Sequence, residues 1–452
     1  MAKATRSMTE GALLPHIILY TIPIILTSIL QLLFNAADLI IVGRYCGSIS
    51  VAAVGATGAV SNLIINLFIG LSVGAGVCVA HGLGAKKSKS VHRTVHTAVS
   101  AALAGGALLT VIGILLAEPL LVLMNTPKDV LPLSATYMKI YFAGMTFTML
   151  YNFCASILRA AGDTKSPLIY LTLSGIINVI LNVIFVTLFN MNVAGVALAT
   201  AISQALSAIL VTVALMRRND ECRLHPKELR FYKKELLKLI RIGVPAGIQG
   251  SLFSISNVII QSSVNSFGPV VMSGNAASAN IEGFVYVILN AFHQTTVNFV
   301  GQNTGAEKYK RVKKTVAICL VSVALTGIIA GLGVYLLREP LLSIYITDSA
   351  KALYYGMIRI SYICIPYFLC GLMDVSTGAL RGMGSSLAPM IISVLGVCGF
   401  RIAWILTIFQ IERFHTPQCL YASYTFSWTL TFLIQIIAFV FVYRRYIRSN
   451  AN

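Results

Sequence analysis

Apolar runs of about 20 residues, the length that crosses a bilayer as a helix, recur from one end of this chain to the other. Short clusters of Gly, Pro and charge interrupt them. Cutting at those clusters predicts twelve spans, near 14–44, 52–80, 95–118, 135–158, 167–190, 193–216, 239–266, 279–303, 315–337, 353–380, 387–411 and 418–443. The first is long enough to need tilt or an extramembrane turn. The longest polar stretch runs only from Arg217 to about Lys238, so no soluble domain is left over. The pattern predicts an all-α integral membrane protein of about twelve transmembrane helices, with an amphipathic helix over Glu228 to Ile240 leading into the seventh.

The pattern also repeats. Val79 to Val95 matches Val300 to Val316 at eight of seventeen positions, and Glu118-Pro-Leu-Leu121 returns as Glu339-Pro-Leu-Leu342 at the same offset of 221 residues. One residue later in register, Leu158-Arg159, Gly162 and Pro167 return as Leu380-Arg381, Gly384 and Pro389, while Pro23 and Asn35 return as Pro245 and Asn257. Blocks in sequence order at a near-constant offset mark a duplication. Six spans per half is an even number, so both halves enter the membrane from the same side, giving a parallel repeat of two pseudo-symmetric six-helix lobes. The expected division is 1–225 and 226–452, joined by a cytoplasmic linker at about 217–238.

Composition fits that picture: 57% of the 452 residues are hydrophobic and 11% are charged. A net charge of +19 in a soluble chain would suggest nucleic acid; here its distribution excludes that inference. If the N-terminus is cytoplasmic, 26 Lys and Arg fall at cytoplasmic ends, from Lys3 and Arg6 to Arg444, Arg445 and Arg448, and 8 elsewhere. That asymmetry predicts a multi-pass protein of the cell (plasma or inner) membrane with both termini cytoplasmic, its basic loops placed where lipid headgroups lie. The nine cysteines form no CxxC and no Cys/His pair at metal spacing, and read as small apolar packing residues.

Candidate chemistry lies in the polar residues inside the spans. Asp38 sits deep in the otherwise uncharged run Ile17 to Val42. A charge there costs at least about 2.5–3.5 kcal/mol unless it faces a cavity or a partner. Gln31, Asn35 and Asp38 fall at i, i+4 and i+7, on one helix face. Asn178 and Asn182 are spaced i, i+4 in the fifth span, with Thr200 in the sixth and Asn62 and Asn66 in the second. In the second half, Gln249, Asn257 and Gln261 line the seventh span; Asn290, His293, Gln294 and Asn298 stripe the eighth, with Glu282 at its outer end. Asp374 in the tenth span aligns with Asn152 in the fourth. So many polar groups in apolar spans imply a hydrated central cavity. The bland alternative for each is hydrogen-bonding between helices. For Asp374 that alternative is a pairing with Arg401 or His293, and for His293 a neutral ring bonded within its stripe. Tyr137, Tyr141, Tyr151 and Phe153 could stack on a cationic ligand, or belong to the core. Arg159 and Arg381 are expected to anchor cytoplasmic turns.

Taken together, Asn35-Ala-Ala-Asp38-Leu-Ile-Ile-Val-Gly43, the Gly-x-Gly-Ala and Lys-rich turn after the second span, Ile157-Leu-Arg-Ala-Ala-Gly-Asp-Thr-Lys-Ser-Pro167, and its echo Leu380-Arg-Gly-Met-Gly384 resemble the MATE (multidrug and toxic compound extrusion) transporters, over the whole chain. Within that superfamily the resemblance is to the DinF-like, prokaryotic branch. It implies a cation or proton site at Asp38, Asn152, Asn178, Asn182 and Thr200, with Pro23 as the residue at which the first helix bends. Position 182 is often Asp in that branch and is Asn here, which leaves one carboxylate and the choice of H+ or Na+ open. The NorM-like branch uses a glutamate in the seventh helix; Gly243 to Asn257 holds none, and Asp374 lies about one turn from the aspartate that branch would predict.

The function this implies is a secondary active antiporter that exports amphipathic, often cationic organic compounds against H+ or Na+ by alternating access. Contact with substrate is expected at Gln31, Asn35, Asn257, Gln261, Asn290, His293 and Asp374. The alternative is a lipid-linked saccharide flippase of the same superfamily, which would want a strongly cationic cavity. No P-loop couples ATP, and no HExxH or Ser/His/Asp set suggests an enzyme; a channel fits two lobes with an acid in one less well. The expected partners are small molecules and membrane lipid, not nucleic acid. No cofactor is expected, no metal beyond Na+ at the coupling site, and the protein is expected to act as a monomer.

Overall fold

A computed structural model describes residues 7–124, 126–347 and 349–449; Lys3, Arg6 and the side chain of Asn62 lie outside the described residues. Among these, every regular element is a helix. The first half runs α1 Leu13–Cys46, α2 Ser48–Gly84, α3 Ser88–Leu123, α4 Leu131–Ala143, α5 Met145–Ala160, α6 Lys165–Val183 passing into a π turn Ile184–Leu188, and α7 Asn192–Met216. The second runs α8 Lys233–Asn265, α9 Pro269–Gly305, α10 Tyr309–Leu336, a short α11 Arg338–Ser343, α12 Ala350–Cys364, α13 Tyr367–Gly382, α14 Leu387–Ser393, a π turn Val394–Gly399, α15 Phe400–Leu406 and α16 Pro417–Ser449.

Among the described residues nine helical segments are long and apolar enough to span a membrane, and eleven do if α4 with α5, and α12 with α13, each count as one bent span. The remaining expected span, 279–303, lies in α9, whose 37 residues carry the polar stripe from Asn290 to Asn298 and so fall short in apolarity. The expected spans 135–158 and 353–380 are not straight. They bend by 46° and 43°, at Gly144 and at Ile365-Pro366. Gly144 and Pro366 are 222 residues apart, the offset of the repeat. Pro366 breaks its helix because it lacks the N–H needed for the i−4 bond.

The duplication is written into the backbone as well. Gly47 and Gly268, Lys86 and Glu307, and Gly162 and Gly384 all take positive φ, between 52° and 90°. Each pair is separated by the repeat offset. The turns close alike: Lys87 N–H donates to Gly82 O and Lys308 N–H to Asn303 O, both at 2.9 Å, the 6→1 bond of a helix end that reverses through the left-handed region. Val79, Val95 and Leu158 are buried in one core cluster, and their repeat partners Val300, Val316 and Leu380 in another.

The chain forms two compact units, and neither is simply one half of the sequence. One contains Ile22–Gly247; the other combines Met8–Thr21 with Ile248–Asn452. Thus the first turns of α1 belong with the second half, and the first turns of α8 with the first. In the second unit, Met8 N–H donates to Gln302 Oε1 at 3.3 Å, and Arg311 donates from Nη2 to Glu10 O at 2.8 Å and from Nη1 to Gly11 O at 2.9 Å. In the first unit, His225 N–H donates to His96 Nε2 at 3.0 Å and Tyr232 N–H to Thr97 Oγ1 at 3.2 Å. With Tyr232 N–H taken by Thr97 and Leu229 extended, the amphipathic helix expected from Glu228 starts only at Lys233. What precedes it is a 3₁₀ turn at Pro226–Glu228.

Further along, the exchanged segments cross helices with different chemistry. In the first unit Gly70 and Gly74 of α2 meet Gly243 and Gly247 of α8. A Cβ added at Gly74 would lie 2.8 Å from Gly243 N, and one at Gly70 would overlap Gly247 N. Two Gly-x-x-x-Gly faces let the backbones touch. In the second unit the repeat-equivalents of Gly74 and Gly243 are Thr295 and Thr21, and their hydroxyls lie 2.8 Å apart in a hydrogen bond.

Candidate functional site

Three helices of the first unit build the site. Asp38 stands in α1, Asn178 and Asn182 one turn apart in α6, and Thr200 in α7. Gly175 lets α6 close on α1, because a Cβ there would overlap the ring of Phe34. Asn182 donates from Nδ2 to Asp38 Oδ1 at 2.5 Å and to Asn178 Oδ1 at 3.3 Å. Thr200 Oγ1 lies 3.4 Å from Asp38 Oδ2, receives Asn178 Nδ2 at 3.4 Å, and sits 2.9 Å from Val196 O on its own helix. Asn178 and Asn182 are buried, whereas Asp38 is half-buried. Among the described residues no Lys, Arg or His forms an ion pair with Asp38, so neutral donors alone solvate its carboxylate. Asn182 Oδ1 is buried with no hydrogen-bond partner among the described residues. The cluster therefore offers a carboxylate and a free amide oxygen side by side.

The fifth candidate, Asn152 on α5, does not share a hydrogen bond with these four; its Nδ2 donates to Thr148 O at 2.9 Å. Gln31 and Asn35 are exposed. Pro23 lies inside an uninterrupted α1, and Thr27 Oγ1 donates to its carbonyl at 2.7 Å. Of the aromatic candidates, Tyr151 and Phe153 are buried in the core, while Tyr137 and Tyr141 stack on one another.

In the second unit the polar residues fall into two chains of contacts. In one, Arg381 Nη2 donates to Gln249 Oε1 at 2.8 Å, its Nη1 lies 3.5 Å from His293 Nε2, and His293 Nδ1 lies 2.6 Å from the backbone oxygen of Asp374. Arg381 is thus buried among these groups, where an anchor for the cytoplasmic turn was expected. His293 meets the main chain of Asp374, not its carboxylate, and Asp374 Oδ2 is buried without a hydrogen-bond partner among the described residues. In the other chain, Arg359 makes a two-pronged pair with Glu282, Nε to Oε1 at 2.8 Å and Nη2 to Oε2 at 2.7 Å, and donates from Nη1 to Asn275 Oδ1 at 2.6 Å. Asn275 in turn donates to Gln261 Oε1 at 3.0 Å. Asn290 Oδ1 accepts from Gln294 at 3.2 Å, and Asn257 is exposed. The Glu282–Arg359 pairing escaped the sequence reading. Its one signal was two opposite charges within apolar spans.

Arg401 is buried, donates to Ser427 Oγ at 2.9 Å and sits 3.9 Å over the ring of Tyr424. Its Nη2 has no partner among the described residues.

The family model described as MatE matches residues 23–184 and again 245–406, so the two matches begin at Pro23 and Pro245, one repeat apart. The chain is 28% identical over 391 residues to the "Probable multidrug resistance protein YoeA" of Bacillus subtilis, covering 85% of this chain and 84% of that one. It is 24% identical over 387 residues to "Probable multidrug resistance protein YpnP" of the same organism, covering 86% of each. Among solved structures, "Crystal structure of MATE in the bent conformation" superposes with a TM-score of 0.91 over the whole of both chains at 17% identity, a likeness of fold.

Proposed function

The chain belongs to the MatE family of membrane transporters, and on that premise we propose that it is a secondary active antiporter exporting amphipathic, often cationic organic compounds in exchange for H+, by alternating access. The relatives' printed names, probable multidrug resistance proteins, support the substrate class. The observation that carries the coupling is Asp38 held by Asn182 and Thr200, with no basic side chain paired to it among the described residues. A carboxylate solvated only by neutral groups is free to take up and release a cation, and its charge state controls the helix face it shares with α6 and α7. One formal charge suits a monovalent ion, since tight Ca²⁺ sites gather several carboxylates.

Na+ is the second reading, and the partnerless Asn182 Oδ1 supports it, because a metal cation would use that oxygen where a proton would not. Lipid-linked saccharide flipping draws on a different observation, the buried Arg359, Arg381 and Arg401 of the second unit; Arg359 is already neutralised by Glu282. We place the chain in the cell membrane with both termini cytoplasmic, on the distribution of its Lys and Arg, and take it to act as a monomer.

Efflux of a fluorescent organic cation from proteoliposomes tests the proposal, under an imposed pH gradient and, separately, a sodium gradient. Flux that follows the pH gradient and is lost in Asp38→Asn is the expected result. Flux that follows sodium and ignores the pH step overturns H+ in favour of Na+, and flux under neither gradient overturns antiport.

A further inference from the structure

Where the linker meets the start of α3, His92, His96 and Glu228 converge, and the coupling site does not use them. His92 and His96 are one turn apart and so share a helix face. One ligand atom from each of the three residues lies within 4.8 Å of the others. His92 Nε2 is 2.7 Å from Glu228 Oε2. His96 Nδ1 lies 2.7 Å from the carbonyl oxygen of His92, which fixes the proton on Nδ1 and leaves Nε2 as the acceptor, its lone pair directed at the linker. Such a bond from the second ring nitrogen is how metal-binding histidines are held in the right tautomer. His225 is close by, its ring centroid 5.9 Å from that of His92 and 6.2 Å from that of His96. Burial is graded, with His96 buried, His92 half-buried and Glu228 exposed, so the cluster is rooted in the protein and open to solvent.

We propose that this cluster is a binding site for a zinc-type divalent transition-metal ion, held by His92, His96 and Glu228. Two imidazoles one turn apart on a helix plus a carboxylate from another segment make a donor set that Zn²⁺ accepts at about 2.0–2.2 Å per bond, with a fourth position left for water or His225. The donors of such an ion stand about 3.4 Å apart, so small side-chain movements within the present spacing complete the site. His96 Nε2 now accepts the His225 N–H. A bound ion takes that lone pair, so it exchanges one tether of the linker for another through Glu228. The linker is the segment that carries the exchanged start of α8, and the ion would clamp it to α3.

The test uses the full chain purified without a polyhistidine tag and stripped with a chelator, titrated with Zn²⁺ by calorimetry and with Co²⁺ by visible absorption. One ion per chain is expected, with a Co²⁺ ligand-field band and a rise in the thermal unfolding temperature on adding Zn²⁺. His92→Gln and Glu228→Gln alter exposed or half-exposed side chains; each removes a ligand and should weaken binding by at least the roughly 10–100-fold that loss of a mere supporting partner of a metal ligand costs, and remove the thermal shift, while metal-free protein unfolds as the parent does. His225→Ala should change affinity less. Absence of saturable binding by the parent chain overturns the proposal, as does binding undiminished in both glutamine variants. The measurement needs no transport, so its outcome is independent of the antiport assay.

Discussion

Asn182 donates to Asp38 at 2.5 Å while its own carbonyl oxygen is buried without a donor among the described residues, so one amide meets the acid with a bond made and a bond open. Asp38→Asn removes the only charge in the cluster and keeps its shape. We expect ion-driven efflux in proteoliposomes to be abolished, with the variant still folded and membrane-inserted. Asn182→Ala removes a hydrogen bond to a charged group, worth about 1.5–3 kcal/mol, and should weaken coupled efflux without ending it. Full transport by Asp38→Asn under a proton gradient would sink the coupling role.

Glu282 and Arg359 are both nearly inaccessible and bonded through two prongs. Removing one partner strands a buried charge, at a cost of about 3–5 kcal/mol. Glu282→Ala should therefore lower the unfolding temperature in detergent sharply. Glu282→Leu combined with Arg359→Met should recover much of the loss, since no lone charge then remains. Equal unfolding temperatures for parent and Glu282→Ala would contradict this.

The two equivalent helix crossings should answer differently to small substitutions. Gly74→Ala sets a methyl against the Gly243 backbone, and forced overpacking costs about 1–3 kcal/mol. Thr295→Val removes a hydroxyl that bonds Thr21 across the crossing and Ala291 O within its own helix; the bond between the helices is worth about 0.6 kcal/mol on average, and valine keeps the volume. Thermal unfolding of the two variants side by side decides the matter; a larger loss in Thr295→Val would reverse the ranking.

Cys222 lies in the linker, outside the spans. Burial pushes its thiol up to about 12, assisted by the neighbouring Asp220 carboxylate. The reactive thiolate is thus scarce at neutral pH. With the other eight cysteines replaced, maleimide labelling of Cys222 should be slow at pH 7 in folded protein and fast once it is denatured. Rapid labelling of the folded chain would show that the linker is not seated as described.

The two-fold plan was legible because duplicated turns need duplicated residues: Gly162 and Gly384 sit at the same positive φ and at matching places in the sequence. Neither bend was foreseen in the expected spans 135–158 and 353–380; Pro366 carries a helix-breaking signal, whereas a glycine such as Gly144 inside an apolar run signals nothing until its neighbours are known. Helical spacing placed Asn178 with Asn182, and their meeting with Asp38 and Thr200 is tertiary. Asn152, joined to the group only by family likeness, bonds instead within its own helix. Glu282 and Arg359 are 77 residues apart, and no periodicity links such positions. Hydropathy could not foretell which unit receives the first turns of α1 and α8, because an apolar helix face is compatible with many neighbours.

That exchange of first turns has a consequence for how such a chain could arise. A chain severed in the linker would give two pieces, each carrying a segment that completes the core of the other, so neither piece would be self-sufficient and the pair should assemble only together. A single-copy ancestor would face the same problem and could solve it by domain swapping, each of two identical chains lending its leading turns to its twin. Fusing the copies end to end would keep that handshake within one chain. The duplicated chain would then carry within itself the exchange of segments that two swapped copies share.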